Sequence, residues 1–275
     1  MSKDLLIKNI SPFDLALTLD CGQAFRWTPT EDGAFEGVAM GKHLKIKQEN
    51  ENIIFYNTTE DDYNNIWKKY FDFERDYNEI LSRASKDKLL ARITKNCGGI
   101  RLLKQDPWEA LCSFIISQNN NIPRIKGIIT RLCENFGDKI DGGYTFPTAE
   151  KLADLTVEDL APLRSGFRAK YIISAAKKCS TEINLDLLHS LPIYEARNIL
   201  MTITGVGPKV ADCTLLFGLG FHNAFPMDVW MKRAMAVLFD NELPKGLEDC
   251  AGVVQQYIFH YARTEKISFG DKLSD

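Results

Sequence analysis

A lysine and an aspartate are spaced so that they could carry out covalent chemistry together. Lys209 follows a short glycine-rich run, and Asp228 comes nineteen residues after it. An unprotonated amine can attack an electrophilic carbon and form a covalent intermediate. A fixed carboxylate can stabilise the positive charge that develops during such a reaction. The two residues therefore predict an amine nucleophile with an electrostatic partner.

Both residues also have ordinary interpretations. A lysine in the first turn of a helix is most often a solvated surface charge. Asp228 immediately precedes an apolar-periodic segment that begins at Val229, so it could serve only as an N-cap. A helix dipole holds an N-cap carboxylate in place and keeps it ionised, so that one residue could fill both roles.

The segments around Lys209 predict two helices joined by a tight turn. Helical patterns cover residues 194–203 and 208–219, and proline is tolerated at the first position of the second helix. The turn consists of Gly205, Val206 and Gly207. Amide groups at the start of a helix suit a phosphate, so we expect these three residues to contact DNA. A Gly-x-Gly turn alone is weak support, since any pair of antiparallel helices could use it.

The first hundred residues predict an antiparallel sheet of short strands. Apolar and polar residues alternate most clearly over residues 43–47, and residues 40–42 supply a turn. The expected strands are Leu5–Ile10, Ala24–Trp27, Phe35–Met40, Leu44–Gln48 and Ile53–Asn57. Helices are expected near Glu60–Phe71 and Lys86–Asn96.

The rest of the chain has helical patterns. The expected helices are Trp108–Ser117, Pro123–Phe136, Ala149–Leu155, Val157–Leu163, Arg168–Thr181, Tyr194–Ile203, Pro208–Leu219, Val229–Phe239 and Gly246–Tyr261. Strands followed by helices predict the α+β class. We expect an N-terminal antiparallel sheet domain over residues 1–103, packed on a helical region over residues 104–275 whose helix-hairpin-helix lies at about residues 194–219. A cleft between the two parts is the natural place for a ligand.

Composition restricts the class of protein. The 275 residues, 45% of them hydrophobic, suffice for a large core, and there is no long apolar run or signal peptide. We therefore expect a cytoplasmic protein without membrane association, located at the nucleoid if the source is prokaryotic. The seven cysteines include no CxxC pair, which indicates reduced thiols. The net charge of −3 is mild evidence against DNA, although phosphate contacts need only local positive charge.

Several motifs together resemble a known family. They are the run Cys21-Gly22-Gln23-Ala24-Phe25-Arg26-Trp27, the hairpin with Lys209, and the run Pro226-Met227-Asp228. This set resembles the helix-hairpin-helix base-excision DNA glycosylases, and within them the 8-oxoguanine DNA glycosylase/AP lyases. The resemblance covers most of the chain. It implies that Lys209 attacks the damaged nucleoside and forms a Schiff base, and that Asp228 is the second catalytic residue.

The resemblance also implies a pocket for the damaged base. Gly22 matches the glycine whose carbonyl accepts the extra N–H of 8-oxoguanine. Phe259 would stack on the base, and Gln255, on the same helix face, would bond its Watson–Crick edge. Cys213 and Pro226 are the other expected substrate-binding residues. Taken singly, each reads more naturally as structure, and only the joint match favours a pocket.

Two loops are expected to handle the DNA around the extruded nucleotide. Asn119 would enter the gap left in the helix, with Arg124 one turn into the following helix. Phe167 would act as an aromatic wedge beside Arg168. Base extrusion needs such a filler, and two guanidinium groups suit the acceptor edge of an opposite cytosine. Arginines at helix starts are, however, often only surface charges.

The expected partner is double-stranded DNA containing 8-oxoguanine, handled by a monomer without a metal or other cofactor. Only Cys250 lies beyond Cys213, so the cysteine set that holds an iron–sulfur cluster in related branches is missing. Trp230 occupies a position where the family commonly carries a phosphate-contacting histidine. Two alternatives stay open: a helix-hairpin-helix glycosylase for another lesion such as an alkylated purine, and a non-catalytic helix-hairpin-helix DNA-binding protein.

Overall fold

A five-stranded antiparallel sheet forms the N-terminal part of the protein, whose computed structural model describes residues 4–265. Its strands are β1 (Leu5–Ile7), β2 (Trp27–Pro29), β3 (Phe35–Ala39), β4 (Lys42–Glu49) and β5 (Asn52–Tyr56). The spatial order is β1-β5-β4-β3-β2, with Ile46 opposite Phe55 in the register. Both of these side chains are fully buried, so the alternating pattern of β4 places its apolar side on the core.

Helices surround this sheet and make up the rest of the fold. In the N-terminal part they are α1 (Leu15–Asp20), α2 (Glu60–Asp62), α3 (Lys68–Tyr70), α4 (Tyr77–Ala84) and α5 (Lys88–Cys97), with a π-helical turn, Tyr63–Trp67, between α2 and α3. The later helices are α6 (Pro107–Ser117), α7 (Ile122–Phe136), α8 (Ala149–Ala153), α9 (Arg168–Thr181), α10 (Ile193–Met201), α11 (Pro208–Phe217), α12 (Val229–Leu238) and α13 (Ala251–Thr264). A small hairpin of β6 (Lys139–Ile140) and β7 (Gly143–Tyr144) separates α7 from α8. The α+β prediction is confirmed.

Two hydrophobic clusters form the core. The smaller one lies under the sheet and contains Trp27, Trp67 and Phe71. The larger one joins the later helices to α4 and α5, which precede the expected division at residue 103. Of the residues in the described range, none belongs to a helix long and apolar enough to cross a membrane.

Two strand predictions need correction. The expected strand Ala24–Trp27 is wrong, because regular strand structure begins only at Trp27 and runs to Pro29. The residues before it are held by side chains instead: Gln23 is fully buried, and its amide bonds the carbonyls of Thr18 and Arg101. The first strand ends at Ile7 rather than Ile10.

The helix predictions need correction at four places. The last expected helix, Gly246–Tyr261, begins only at Ala251 and runs to Thr264. The expected helix Val157–Leu163 contains only a 3₁₀ turn, Ala161–Leu163, where Pro162 has no amide hydrogen to donate. Two helices were not predicted, α1 and α4. Each begins at an aspartate whose carboxylate accepts amide hydrogens of the first turn, Asp14 for α1 and Asp76 for α4.

Candidate active site

Lys209 lies in the first turn of α11, and its amine is held by α6. The Nζ atom donates to Ser117 Oγ at 3.0 Å and sits 5.0 Å from the centroid of the Phe114 ring. Ser117 in turn donates to the carbonyl of Phe114 at 2.8 Å. The half-buried amine is therefore fixed by a hydroxyl on one side and an aromatic ring on the other.

Asp228 caps α12. Its Oδ1 atom accepts the amide hydrogen of Met231 at 2.7 Å, which fixes the carboxylate at the positive end of the helix. The capping interpretation is thus correct, and it leaves the other carboxylate oxygen available for a second role.

The amine and the carboxylate line one cavity of about 410 Å³. Of the other predicted site residues, Gly22 and Phe259 line it as well. Its remaining lining residues are Phe25, Phe114, Ser117, Asn120, Asn121, Ile122, Pro123, Ile125, Trp230 and Arg263. A larger cavity of about 570 Å³ near the start of α6 contains none of the predicted site residues. The smaller cavity is therefore the candidate active site.

Gly22 is positioned by the buried amide of Gln23. Besides its two carbonyl acceptors, Gln23 accepts the backbone amide of Leu103 at 2.8 Å. Gly22 has φ +92°, and a side chain there would approach Arg263 Nη1 at 3.4 Å and Phe259 at 3.9 Å. The backbone conformation therefore favours glycine, while the distances to Arg263 and Phe259 are ordinary van der Waals contacts.

Three predicted base-pocket residues lie behind the cavity wall. Cys213, Pro226 and Gln255 are buried and do not line the cavity itself. Gln255 donates to the carbonyl of Pro226 at 3.1 Å and accepts from Gln256 at 3.2 Å. Its carboxamide would have to exchange these bonds to bind a base.

The Cys213 side chain is a neutral thiol. Burial raises its pKa to about 11, although the charge of Lys209 opposes that shift. Because the pKa lies well above neutrality, Cys213 offers an apolar surface rather than a thiolate nucleophile. The Lys209 amine, in contrast, lines the cavity.

The hairpin between α10 and α11 is compact. Gly205 has φ +85°, and a Cβ atom there would lie 2.3 Å from the ring of Tyr171 in α9. The buried Val206 uses its amide within the turn, donating to the carbonyl of Ile203 at 3.0 Å. The amides of Gly205 and Gly207 have no acceptor within residues 4–265, so they are the ones available to a phosphate.

The two loops that the sequence predicts to contact DNA are joined by Arg168. Its guanidinium, on a residue only 2% exposed, donates to the carbonyls of Gln118, Asn119 and Ser165. Asn119 is exposed and adopts the left-handed conformation with φ +45°. Arg168 therefore holds the Asn119 loop in place, and its donors are already in use.

Phe167 and Arg124 face outwards. The Phe167 ring is 48% exposed, lies 4.4 Å from the Arg168 guanidinium, and meets Tyr171 edge-on at 5.8 Å. Arg124 is exposed, and its side chain has no hydrogen bond or ion pair with the part of the chain that the structure describes. Burial lowers the pKa of Arg168, and the charge of Arg124 lowers it further.

A buried ion pair anchors the segment that carries Gly22. Arg26 contacts Glu109 of α6 at 3.1 Å and also donates to the carbonyl of Tyr144. Burial raises the pKa of Glu109 to about 6, although the charge of Arg26 opposes that shift. The N-terminal part and the helical part are thus connected close to the cavity.

Two of the cavity residues that sequence reasoning missed are Ser117 and Arg263. Ser117 was expected only as the last residue of the helix Trp108–Ser117, and nothing in the sequence pairs it with Lys209, because the contact spans 92 positions. Arg263 follows Phe259 by four residues, so helical spacing could have placed both on one face.

In this chain a compact helical hairpin carries an amine on its second helix, and the amine shares a cavity with a capping carboxylate. This arrangement defines the class of helix-hairpin-helix base-excision proteins. Two family models match the chain: "8-oxoguanine DNA glycosylase, N-terminal domain" over residues 5–111, and "HhH-GPD superfamily base excision DNA repair protein" over residues 112–245. The chain belongs to the 8-oxoguanine DNA glycosylase family of that superfamily.

Individual relatives agree with this assignment. The N-glycosylase/DNA lyase of Saccharomyces cerevisiae is 37% identical over 257 residues, covering 82% of this chain and 68% of the yeast protein. The solved structure of MBOgg1 in complex with a low-affinity DNA ligand has a TM-score of 0.91 at 43% identity and 97% coverage of both chains. The Clostridium acetobutylicum 8-oxoguanine glycosylase/lyase, in complex with duplex DNA that has cytosine opposite 8-oxoguanine, has the same TM-score at 38% identity and 97% coverage of both chains.

Proposed function

We propose that this chain removes 8-oxoguanine from duplex DNA and then cleaves the resulting abasic strand. The single observation that carries the proposal is that the Lys209 amine and the Asp228 carboxylate line the same cavity. Gly22 and Phe259 line it as well. Relatives named as glycosylase and lyase, of which this chain covers 68% and 64%, support both activities. We further propose that it acts as a monomer in the cytoplasm.

The first reaction is displacement of the base. The bond between C1′ of the deoxyribose and N9 breaks as the bond between C1′ and Lys209 Nζ forms. The amine loses one proton, and the departing base gains one. Asp228, fixed by its capping bond, stabilises the positive charge that develops on the sugar.

The second reaction is cleavage of the strand. Opening of the sugar converts the adduct to a Schiff base, whose positive nitrogen acidifies the protons on C2′. Loss of one C2′ proton then expels the 3′-phosphate by β-elimination, and water releases Lys209 from the product. The amine is thus required for both reactions.

The base itself is recognised by the walls of the cavity. The Gly22 carbonyl would accept the N7 hydrogen of 8-oxoguanine, which guanine lacks, and the Phe259 ring would stack on the base. Cys213 and Pro226 would support the pocket from behind. Gln255 would reach the Watson–Crick edge once its bonds to Pro226 and Gln256 are exchanged.

The opposite base is proposed to be cytosine. Asn119 would fill the vacated position, Phe167 would wedge the stack, and the free guanidinium of Arg124 would bind the cytosine acceptors, with Arg168 beside it. Excision is therefore expected to be fastest from the 8-oxoguanine–cytosine duplex when four duplexes differing only in the facing base are compared. Equal rates with all four would contradict this part of the proposal.

Borohydride trapping tests the chemistry. Reduction during turnover of an 8-oxoguanine duplex is expected to give a covalent complex, with the sugar on Lys209 in the mass spectrum of its peptides. Lys209→Gln should abolish trapping while still binding the duplex, and Lys69→Gln, which removes an exposed lysine outside the cavity, should trap like the wild type. Trapping by Lys209→Gln, or an adduct on another residue, would refute the proposal.

A further inference from the structure

Arg263 is a charged residue on the wall of the cavity, in the last turn of α13. Its guanidinium carbon lies 5.4 Å from the centroid of the Phe259 ring, one turn earlier in the helix. Its side chain has no hydrogen bond or ion pair with residues 4–265, and it is exposed. Arg263 therefore offers unused donors at the ring on which the base is proposed to stack.

The guanidinium is also next to Gly22. Its Nη1 atom lies 3.4 Å from the place that a Cβ atom on Gly22 would occupy, which makes it the nearest heavy atom to that point. In the proposed function, the carbonyl of Gly22 takes the N7 hydrogen of the base. The acceptors that flank N7 on that edge of the base would then be within reach of the Arg263 guanidinium.

The chemistry of that edge suits a guanidinium. In 8-oxoguanine the N7 hydrogen is flanked by two carbonyl oxygens, O6 and O8, and both are acceptors. Arginine has five N–H donors and no acceptor. A carbonyl group that accepts the central hydrogen and a cation that donates beside it would together match the donor and acceptor pattern of the edge.

Three other polar side chains of the wall already have hydrogen bonds within the described residues. The Lys209 amine bonds Ser117, Asn120 bonds the carbonyl of Ile116, and Asn121 caps α7. None of these is placed beside Gly22 as Arg263 is.

We propose that Arg263 is a specificity-determining residue that donates a hydrogen bond to a carbonyl oxygen next to N7 of the extruded base. The inference rests on the proposed function, since it takes the cavity to be the site of an oxidised guanine. The contact of the guanidinium with the Phe259 ring orients both groups, because a cation over an aromatic face is attractive. Arg263 and Gly22 then read adjacent positions of one edge.

Replacement of Arg263 by methionine tests this role, because the side chain keeps its length and loses every donor. Arg263→Met should lower the single-turnover rate constant for 8-oxoguanine excision by about 10-fold, as expected for loss of a charged donor. Affinity for a duplex with a tetrahydrofuran abasic analogue should change by less than about 3-fold, since no base is present to contact. The exposed Arg92→Met, outside the cavity, is the matched control and should leave both quantities unchanged.

Two outcomes would overturn the inference while the wild type remains active. One is an unchanged excision rate for Arg263→Met. The other is a loss of affinity of Arg263→Met for the tetrahydrofuran duplex that is as large as its loss of excision rate and that Arg263→Lys restores. That result would make the residue a phosphate contact. Lack of 8-oxoguanine excision by the wild type would instead refute the proposed function, and the inference with it.

Binding in the Lys209→Gln background identifies the acceptor. Duplexes with 8-oxoguanine and with 8-oxoadenine share O8, but the latter has an amino group in place of O6. A loss of affinity on adding Arg263→Met that is equal for both duplexes assigns the contact to O8. A loss confined to 8-oxoguanine assigns it to O6, and no loss with either duplex overturns the inference.

Discussion

The Asp228 carboxylate combines a structural role with a proposed catalytic one. Its Oδ1 atom caps α12 through Met231, and the residue also lines the cavity with Lys209. The cap gives the carboxylate a fixed position, which in the proposed reaction serves electrostatic stabilisation of a cationic sugar. The two roles can be separated, because capping needs an acceptor whereas catalysis needs a negative charge.

Asp228→Asn and Asp228→Ala separate them. Asparagine caps as well as aspartate does, so Asp228→Asn should unfold in urea with a free energy within about 0.5 kcal/mol of the wild type. Alanine should cost about 1 kcal/mol. Both variants should excise 8-oxoguanine about 100-fold more slowly in single turnover, because both lack the charge. Near-normal turnover by Asp228→Asn would leave the residue as a cap only.

The placement of Lys209 and Asp228 in one site could be predicted from sequence because its signal is local. Lys209 stands directly after the hairpin glycines, and Asp228 directly before an apolar-periodic helix. Ser117 carries no such signal, since its contact with Lys209 joins distant segments, and for Arg263 only the helical spacing from Phe259 is local. Gln255 shows the opposite case: the sequence suggests a free amide, and only packing reveals that Pro226 and Gln256 occupy it.

At the scale of elements, Arg168 connects the start of α9 to the loop between α6 and α7. Three loop carbonyls accept from one guanidinium that is almost fully buried. If the arginine were removed, these three carbonyl groups would lose their hydrogen-bond donor at the same time. The position of Asn119, at the tip of this loop, therefore depends on Arg168.

Arg168→Met is expected to loosen that loop. The free energy of unfolding in urea should fall by about 1–3 kcal/mol, because buried carbonyls lose their donor. Excision from the 8-oxoguanine–cytosine duplex should slow as Asn119 loses its fixed position. The exposed Arg124→Met should instead keep wild-type stability and lose preference for cytosine. Unchanged stability of Arg168→Met would show that the loop is held by other contacts.

Predictions of helices and strands from sequence succeeded where the apolar pattern of one face extends over a long segment. They failed where individual side chains determine the backbone conformation. The alternating pattern of β4 predicted the sheet, and the glycines and the proline before Lys209 predicted the start of α11. The residues of α1 alternate between leucine and smaller residues, a pattern that resembles a strand, and Asp14 makes them a helix by capping. The segment ending at Leu163 has helical spacing, but Pro162 interrupts its hydrogen bonding.

On the scale of the whole molecule, the pair Arg26–Glu109 joins the N-terminal part to the helical part. The raised pKa of Glu109, about 6 against an ordinary 4.5, means that the folded state retains a proton that the unfolded state has already released. The stability from this residue is therefore fully present below about pH 4.5 and is lost as pH rises through about 6. The loss amounts to about 2 kcal/mol.

Glu109→Gln removes this titration and makes it measurable. The free energy of unfolding of the variant, relative to the wild type, should rise by about 2 kcal/mol between about pH 4 and pH 7. Urea titrations at a series of pH values give the free energies of unfolding of the variant and of the wild type. The exposed Glu134→Gln serves as control and should track the wild type across the range. A constant difference between Glu109→Gln and wild type would show that Glu109 ionises normally.

The close packing of Gly205 on Tyr171 fixes the distance between the hairpin turn and Phe167. No side chain separates the hairpin turn from that ring, and the same ring meets Phe167 edge-on. In the proposed function, a phosphate bound at the turn would therefore lie at a fixed distance from Phe167, because both contact the same ring.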